Sequence, residues 1–284
     1  MAVVLVNGIE QWFEWHGQDD GGVPVVLVAG MGGALSYWGP QIKAISSRHR
    51  TLVYDQRGTG RSSRTPVASI EQLAVDFVAM LDALSIDRVH LVGHSTGGAI
   101  GQVVAVRYPH RVASLVLYAS IHRADNYRFR IWGLRKRVLE QMGPEVYAQT
   151  TSLFFYPPDY INAHHDELLE VEARTASTEL TTPDVMVSRI DAILRFDVSE
   201  QISQIVAPTL VICARDDLLT PAYFSESIAA AIPGAELALL HSGGHAYSRS
   251  HPEAFNELLI SFVEKQLVPK TTCGPAQKSE SRPG

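Results

Sequence analysis

The segment Gly93-His94-Ser95-Thr96-Gly97-Gly98 stands directly after the apolar run Val89-His90-Leu91-Val92 and just before a helix-like stretch over 99–107. A G-x-S-x-G pentapeptide between a strand and a helix dictates a sharp, strained turn with a serine hydroxyl at its apex. Such a turn sits at the C-terminal edge of a parallel sheet, with the helix packing back on one face. The glycines at 93 and 97 are expected on steric grounds, because neighbouring chain passes too close for a Cβ. A lone G-x-S-x-G in a Gly/Ser loop carries little information. Here the flanking strand and helix patterns argue against a chance match.

The remaining chain supplies the sheet that this turn requires. Runs at 3–6 and 11–15 read as an opening hairpin. Further strand-like runs lie at 25–29, 51–54, 89–92, 112–118, 208–214 and 235–240. Several are apolar throughout and separated by helical patterns, which indicates a parallel sheet covered on both faces. The spacing of Leu73, Phe77, Met80, Leu81 and Leu84 predicts a helix over 70–84 with one apolar face. From 122 to 203 the strand pattern disappears. That segment reads as a helical cap inserted between two late strands, since a structureless loop of this length would be improbable. The expected organisation is a core of 1–121 and 204–267, a cap of 122–203, and a disordered Pro/Gly/Ser/Lys-rich tail over 268–284.

Composition narrows the partners. With 284 residues, 46% hydrophobic and 19% charged, the chain can bury a large core. A net charge of -6 gives no reason to expect nucleic acid or an anionic membrane as partner. Two cysteines cannot form a disulfide framework: Cys213 reads as a buried strand residue and Cys273 lies in the tail. The N-terminus lacks the features of a signal peptide, and no run approaches the ~20 apolar residues of a membrane span. These features set the expectation of a soluble, cytoplasmic protein, monomeric or homodimeric.

A serine hydroxyl needs an adjacent base, itself oriented by a third group. On this kind of sheet the partners follow in the order serine, acid, histidine. Asp216 and Asp217 both follow the run at 208–214, and His241 and His245 both follow the run at 235–240. Either aspartate could instead cap a helix opening near Pro221. His90 and His94 are expected to be packed or hydrogen-bonded in place, and His241 to lie at the surface. His164-His165-Asp166 lacks a second ligand cluster and is expected to be a solvated loop of the cap rather than a metal site.

Taken together, these motifs resemble the α/β-hydrolase superfamily up to about residue 267. In that family the acid commonly stands four residues before a proline, which selects Asp217. The histidine follows a pair of small residues, which selects His245. The resemblance also places Gly30-Met31 in the oxyanion loop, with backbone N–H donors from Met31 and Thr96. Many members have His-Gly where this chain has Ala29-Gly30, so no side-chain role is available at that first position. Asp55-Gln56-Arg57-Gly58-Thr59-Gly60 matches the family's structural D-x-R-G-x-G turn. Four segments look like the branch containing aminoacrylate (carbamate) hydrolases and 3-oxoadipate enol-lactonases: 36–41, 55–60, 155–157 and 212–219. Such matches indicate ancestry better than substrate.

The implied chemistry is acyl transfer without metal or cofactor on a small ester substrate. Cleavage of a lactone, C–C or C–N bond by the same residues is an alternative, and a hydrolase-like ligand receptor is a reading from another class. Residues 123–137 hold Arg123, Arg128, Arg130, Arg135, Lys136 and Arg137 against Asp125 alone. A helix there would place Ile131, Leu134, Val138 and Met142 in its apolar stripe, with Arg128 and Arg135 between that stripe and Trp132/Leu139. The expectation is that the arginines snorkel, stems on apolar surface and heads in water, over a mainly apolar pocket. The competing reading has one of them bind a substrate carboxylate. Gly30, Trp132, Arg128 and Arg135 are therefore the candidate substrate contacts.

Overall fold

In the computed structural model, which describes residues 2–179 and 181–267, one sheet of eight strands organises the chain. The strands are β1 (Ala2–Val6), β2 (Ile9–His16), β3 (Val25–Val28), β4 (Thr51–Tyr54), β5 (Val89–His94), β6 (Val112–Tyr118), β7 (Thr209–Ala214) and β8 (Glu236–Leu240). Their spatial order is β1-β2-β4-β3-β5-β6-β7-β8. β1 and β2 pair antiparallel with each other, as β2 does with β4, and every other pairing is parallel. Asn7 and Gly8, both at positive φ, close the hairpin in the way an Asn-Gly turn favours. All eight expected strands are present.

The apolar runs are buried on both sides, with alternate residues feeding two cores. Val26, Val28 and Leu91 face one cluster with Phe77, Met80 and Ile100, whereas Val25, Leu27 and Val92 face another with Trp38, Phe255 and Leu259. The helices α1 (Gly39–Ser46), α2 (Ile70–Ala83) and α3 (Thr96–Arg107) follow β3, β4 and β5 in turn. Helix α2 starts where Ser69 accepts from the Gln72 N–H while the Gln72 side chain accepts from the Ala68 N–H, a reciprocal cap.

Between β6 and β7 lie α4 (Asn126–Phe155), α5 (Pro158–Ala163), α6 (His165–Arg174) and α7 (Pro183–Arg195). Helix α4 breaks at Gly143, which has φ 84° and ψ 179°, immediately before Pro144. Only half of the expected apolar stripe on α4, Ile131 and Val138, faces the core. Leu134 and Met142 are exposed, while Arg128, Ile131, Trp132, Arg135 and Leu139 are buried. The face turned inward thus sets two arginines among Ile131, Trp132 and Leu139, and the snorkelling expectation fails for Arg128 and Arg135. Helices α8 (Ala222–Ala231), α9 (Tyr247–Ser250) and α10 (Pro252–Lys265) complete the chain. The expectation for the tail falls on residues outside those described. Among the described residues, no helix is long and apolar enough to cross a membrane.

His90 offers a test of the buried sheet. It is 2% exposed in β5, with Nδ1 2.8 Å from the Ser114 hydroxyl of β6 and Nε2 unpartnered. Burial above all, helped by the charges of His49 and Arg88, pushes its pKa down to about 4. The unfolded chain takes up this proton below about pH 6.5 and the folded one does not, so stability falls as pH drops from there. We expect His90→Leu to remove about 3 kcal/mol of that acid-linked loss between pH 6.5 and 4. Urea unfolding at a series of pH values measures it, and parallel wild-type and variant curves would refute it.

Candidate active site

The strand-to-helix turn holds Ser95 at φ 51° and ψ -114°, a conformation that only a tightly constrained turn imposes on a serine. A Cβ on Gly97 would run into the carbonyls of Val28 and Ala29, and one on Gly93 into the Gly97–Gly98 peptide. The steric expectation for both glycines holds. The Ser120 hydroxyl donates to Ser95 O at 2.8 Å, and Ser95 N–H donates to Tyr118 O at 2.8 Å, which ties the turn to β6.

Of the two aspartates and two histidines, Asp217 and His245 come together. His245 Nδ1 lies 2.8 Å from Asp217 Oδ2, and both side chains are buried. The other carboxylate oxygen, Oδ1, accepts the Leu219 and Thr220 N–H groups at 2.8 Å each. Those bonds fix the carboxylate plane, so Asp217 is oriented by its own turn. The helix α8 has Pro221 at its start and no side-chain cap, so neither aspartate serves as one. Asp216 points elsewhere: it accepts the N–H groups of Gly243 and Gly244 at 3.1 and 3.0 Å, tying the acid turn to the histidine loop. His241 is exposed, as expected.

Ser95 and His245 line one cavity of about 160 Å³. The side-chain hydrogen bonds of His245 run to Asp217 and Thr220 and not to Ser95 Oγ, a contact that is often long or poorly aligned before substrate binds. Gly30, Met31, Trp132 and Arg135 line the same cavity, whereas Thr96 and Arg128 do not. Thr96 is the first residue of α3, where a backbone N–H has no partner within its helix. A Cβ on Gly30 would crowd His94 and Ser95, which is why the loop can pass so near the serine.

Arg128 is placed instead against the acid turn. Its Nη1 donates to Leu219 O at 2.7 Å, and burial pushes its pKa down to about 10. Arg128 thus lies outside the lining of the cavity that holds Ser95, where the sequence places a candidate substrate contact. Arg135 is 2% exposed, and its guanidinium lies over the rings of Tyr147, Trp132 and Phe154, 4.5–5.3 Å from their centroids.

Several side chains at the site had no motif to announce them. His94 stacks on Tyr37 at 4.4 Å and sits 4.7 Å from the His245 ring, centroid to centroid. Its Nε2 is 3.1 Å from His245 O, and that same carbonyl accepts the Tyr118 hydroxyl at 2.8 Å. Burial drives the His94 pKa well below its usual value, so it stays neutral beside His245. His94 therefore holds the histidine loop from beneath. Only its place inside the G-x-S-x-G segment could have drawn attention to it. The D-x-R-G-x-G turn is structural: Asp55 accepts the Leu35 and Arg61 N–H groups, and Arg57 forms a buried two-point pair with Asp76. No group of three or more His, Cys, Asp or Glu suited to a metal occurs among the described residues. His164 instead stacks on Tyr160 and contacts its carbonyl.

A mostly parallel sheet, a serine at a strained turn after its fifth strand and a paired aspartate and histidine after later strands define the α/β hydrolase class. The chain belongs to this family, whose profile, described as the alpha/beta hydrolase fold, matches residues 23–248. It is 40% identical over 252 residues to a protein of Azorhizobium caulinodans provisionally named carbamate hydrolase RutD, covering 88% of this chain and 94% of the other. A protein of the same name from Caulobacter vibrioides is 36% identical over 267 residues, covering 93% and 98%. Among solved structures, an enol-lactonase from Burkholderia xenovorans superposes with a TM-score of 0.85 at 28% identity, covering 93% of this chain and all of that one.

Proposed function

We propose that the protein is a serine hydrolase acting on small acyl substrates, with Ser95 as nucleophile, His245 as base and Asp217 as its orienting acid. The observation that carries this reading is the buried His245–Asp217 pair opening onto the same cavity as Ser95. Ser95 attacks the substrate carbonyl while His245 Nε2 takes the hydroxyl proton, and Asp217 keeps the proton on Nδ1. The Met31 and Thr96 N–H groups receive the oxyanion. His245 returns the proton to the leaving group; it then takes a proton from the water that attacks the acyl-enzyme and gives it to Ser95 Oγ as the acid departs. We assign the helices of 122–203 as a cap over this site and ester C–O cleavage as the reaction. The names carbamate hydrolase and enol-lactonase make C–N and lactone cleavage the alternative. A burst of p-nitrophenol from p-nitrophenyl acetate followed by steady turnover supports the enzyme. A single release without turnover would point to a ligand receptor.

Arg135 favours acidic substrates over the apolar pocket expected from sequence. Its Nη2 donates to Thr151 Oγ1 at 2.8 Å, but Nε and Nη1 have no hydrogen-bond partner. No carboxylate of the described residues forms an ion pair with it. Aromatic faces compensate a buried guanidinium in part. A substrate carboxylate would supply the missing charge and acceptors. We expect a monoester of a small dicarboxylic acid to be hydrolysed faster than a neutral ester of equal size. Arg135→Met should raise KM about thirtyfold for the acidic ester alone. Equal turnover of both esters, unchanged by the substitution, would refute the acidic preference.

A further inference from the structure

The peptide that presents the Met31 N–H is held from both sides by side chains outside its loop. On one side the Gln56 amide donates to Ala29 O at 2.7 Å. On the other, Arg189 Nε donates to Met31 O at 2.8 Å. The two holds are linked, because Arg189 Nη2 donates to Gln56 Oε1 at 2.6 Å. The third donor, Nη1, reaches Arg57 O at 2.8 Å, in the tight turn after β4. The Gln56 backbone N–H also donates to Gly33 O at 3.0 Å, at the far end of the same loop.

Arg189 comes from α7, inside the helical insertion, and is 1% exposed. All its acceptors are neutral oxygens, and no carboxylate pairs with it among the described residues. Burial lowers its pKa to about 10, so it remains a cation at neutral pH. Burying a guanidinium without a counter-ion is expensive, and a purely structural strut would be cheaper as an apolar side chain. The space around it is closed: a Cβ on Gly33 would sit 2.9 Å from Arg189 Nη2.

We propose that Arg189 is a positioning residue for the oxyanion hole. Through Gln56 it fixes both peptide groups flanking the Gly30–Met31 amide, so that the insertion, and not the loop alone, aims the Met31 N–H. Its fixed charge adds to the field that a developing oxyanion meets. The donor must point where charge develops in the transition state, so a small misplacement costs rate rather than substrate binding. This assignment rests on the serine-hydrolase reading above.

The test uses Arg189→Met, Arg189→Lys and Gln56→Leu in the full chain, with near-UV circular dichroism as the fold check. For Arg189→Met, kcat should fall about a hundredfold while KM stays within threefold. Affinity for a boronic acid that becomes tetrahedral on Ser95 should fall in parallel. Affinity for the neutral alcohol product, which carries no oxyanion, should not change. Arg189→Lys should fall in between, because a single ammonium cannot serve three acceptors. Gln56→Leu, which leaves Arg189 in place, should cost about tenfold in kcat, and it decides the matter if the Arg189 variants do not fold. Folded variants with wild-type kcat would overturn the proposal. So would equal losses of boronic acid and alcohol product affinity, which would mean a loosened pocket. If the wild type itself neither turns over esters nor binds the boronic acid, the serine-hydrolase reading fails instead.

Discussion

Ser95→Ala is expected to lower kcat on any ester substrate by about six orders of magnitude, the cost seen when a triad nucleophile is removed. Labelling by fluorophosphonates should disappear with it. The fold should survive, because the turn is held by contacts that the alanine keeps. Ser95 N–H still donates to Tyr118 O, Ser95 O still accepts from Ser120, and the Gly93–Gly97 approach does not involve the hydroxyl. Residual turnover above a hundredth of wild type in a variant with unchanged circular dichroism would rule out Ser95 as nucleophile.

Asp217→Asn should cost about four orders of magnitude in kcat. Asparagine can keep the bonds from Leu219 and Thr220 N–H through its oxygen, but it would then turn an NH₂ group towards His245 Nδ1. The imidazole would be left in the wrong tautomer to accept the serine proton. Asp216→Asn should cost no more than about tenfold, since its side chain bonds only the Gly243 and Gly244 N–H groups and one oxygen remains to hold them. Steady-state kinetics on purified variants decides between them. A reversal of the two effects would make Asp216 the orienting acid.

Much of this architecture was legible before any coordinates. The central strands β3 to β7 follow from apolar runs, because a strand covered on both faces must be apolar at nearly every position. Ser95 was legible because its turn needs glycines at fixed offsets and a strand and helix on either side. Asp217 and His245 needed more, since two aspartates and two histidines stood in the right order. Only the resemblance to the α/β hydrolases separated them; in the folded chain Asp217 and His245 lie 2.8 Å apart.

The α4 face went wrong for a reason of energetics. Helical periodicity predicts burial from apolarity, yet here Arg128 and Arg135 are buried while Leu134 and Met142 are exposed. A guanidinium can be buried if carbonyls or aromatic rings receive it, and most of those lie far along the chain: Leu219 O for Arg128, and the Tyr147 and Phe154 rings beyond the helix break for Arg135. Nothing local in the sequence encodes such partners.

The sequence by itself determined the elements whose cause is local: strands, the strained turn at Ser95, and the chain order of serine, acid and histidine. Periodicity and turn chemistry act over a few residues, so a single chain displays them. Tertiary structure alone decided which charges are buried and what they hold. Arg189 reaches Met31 across 158 positions of chain, and His94 meets the carbonyl of His245 across 151. Whether a buried polar group is satisfied depends on partners brought in by folding, and that pairing sets the geometry around Ser95.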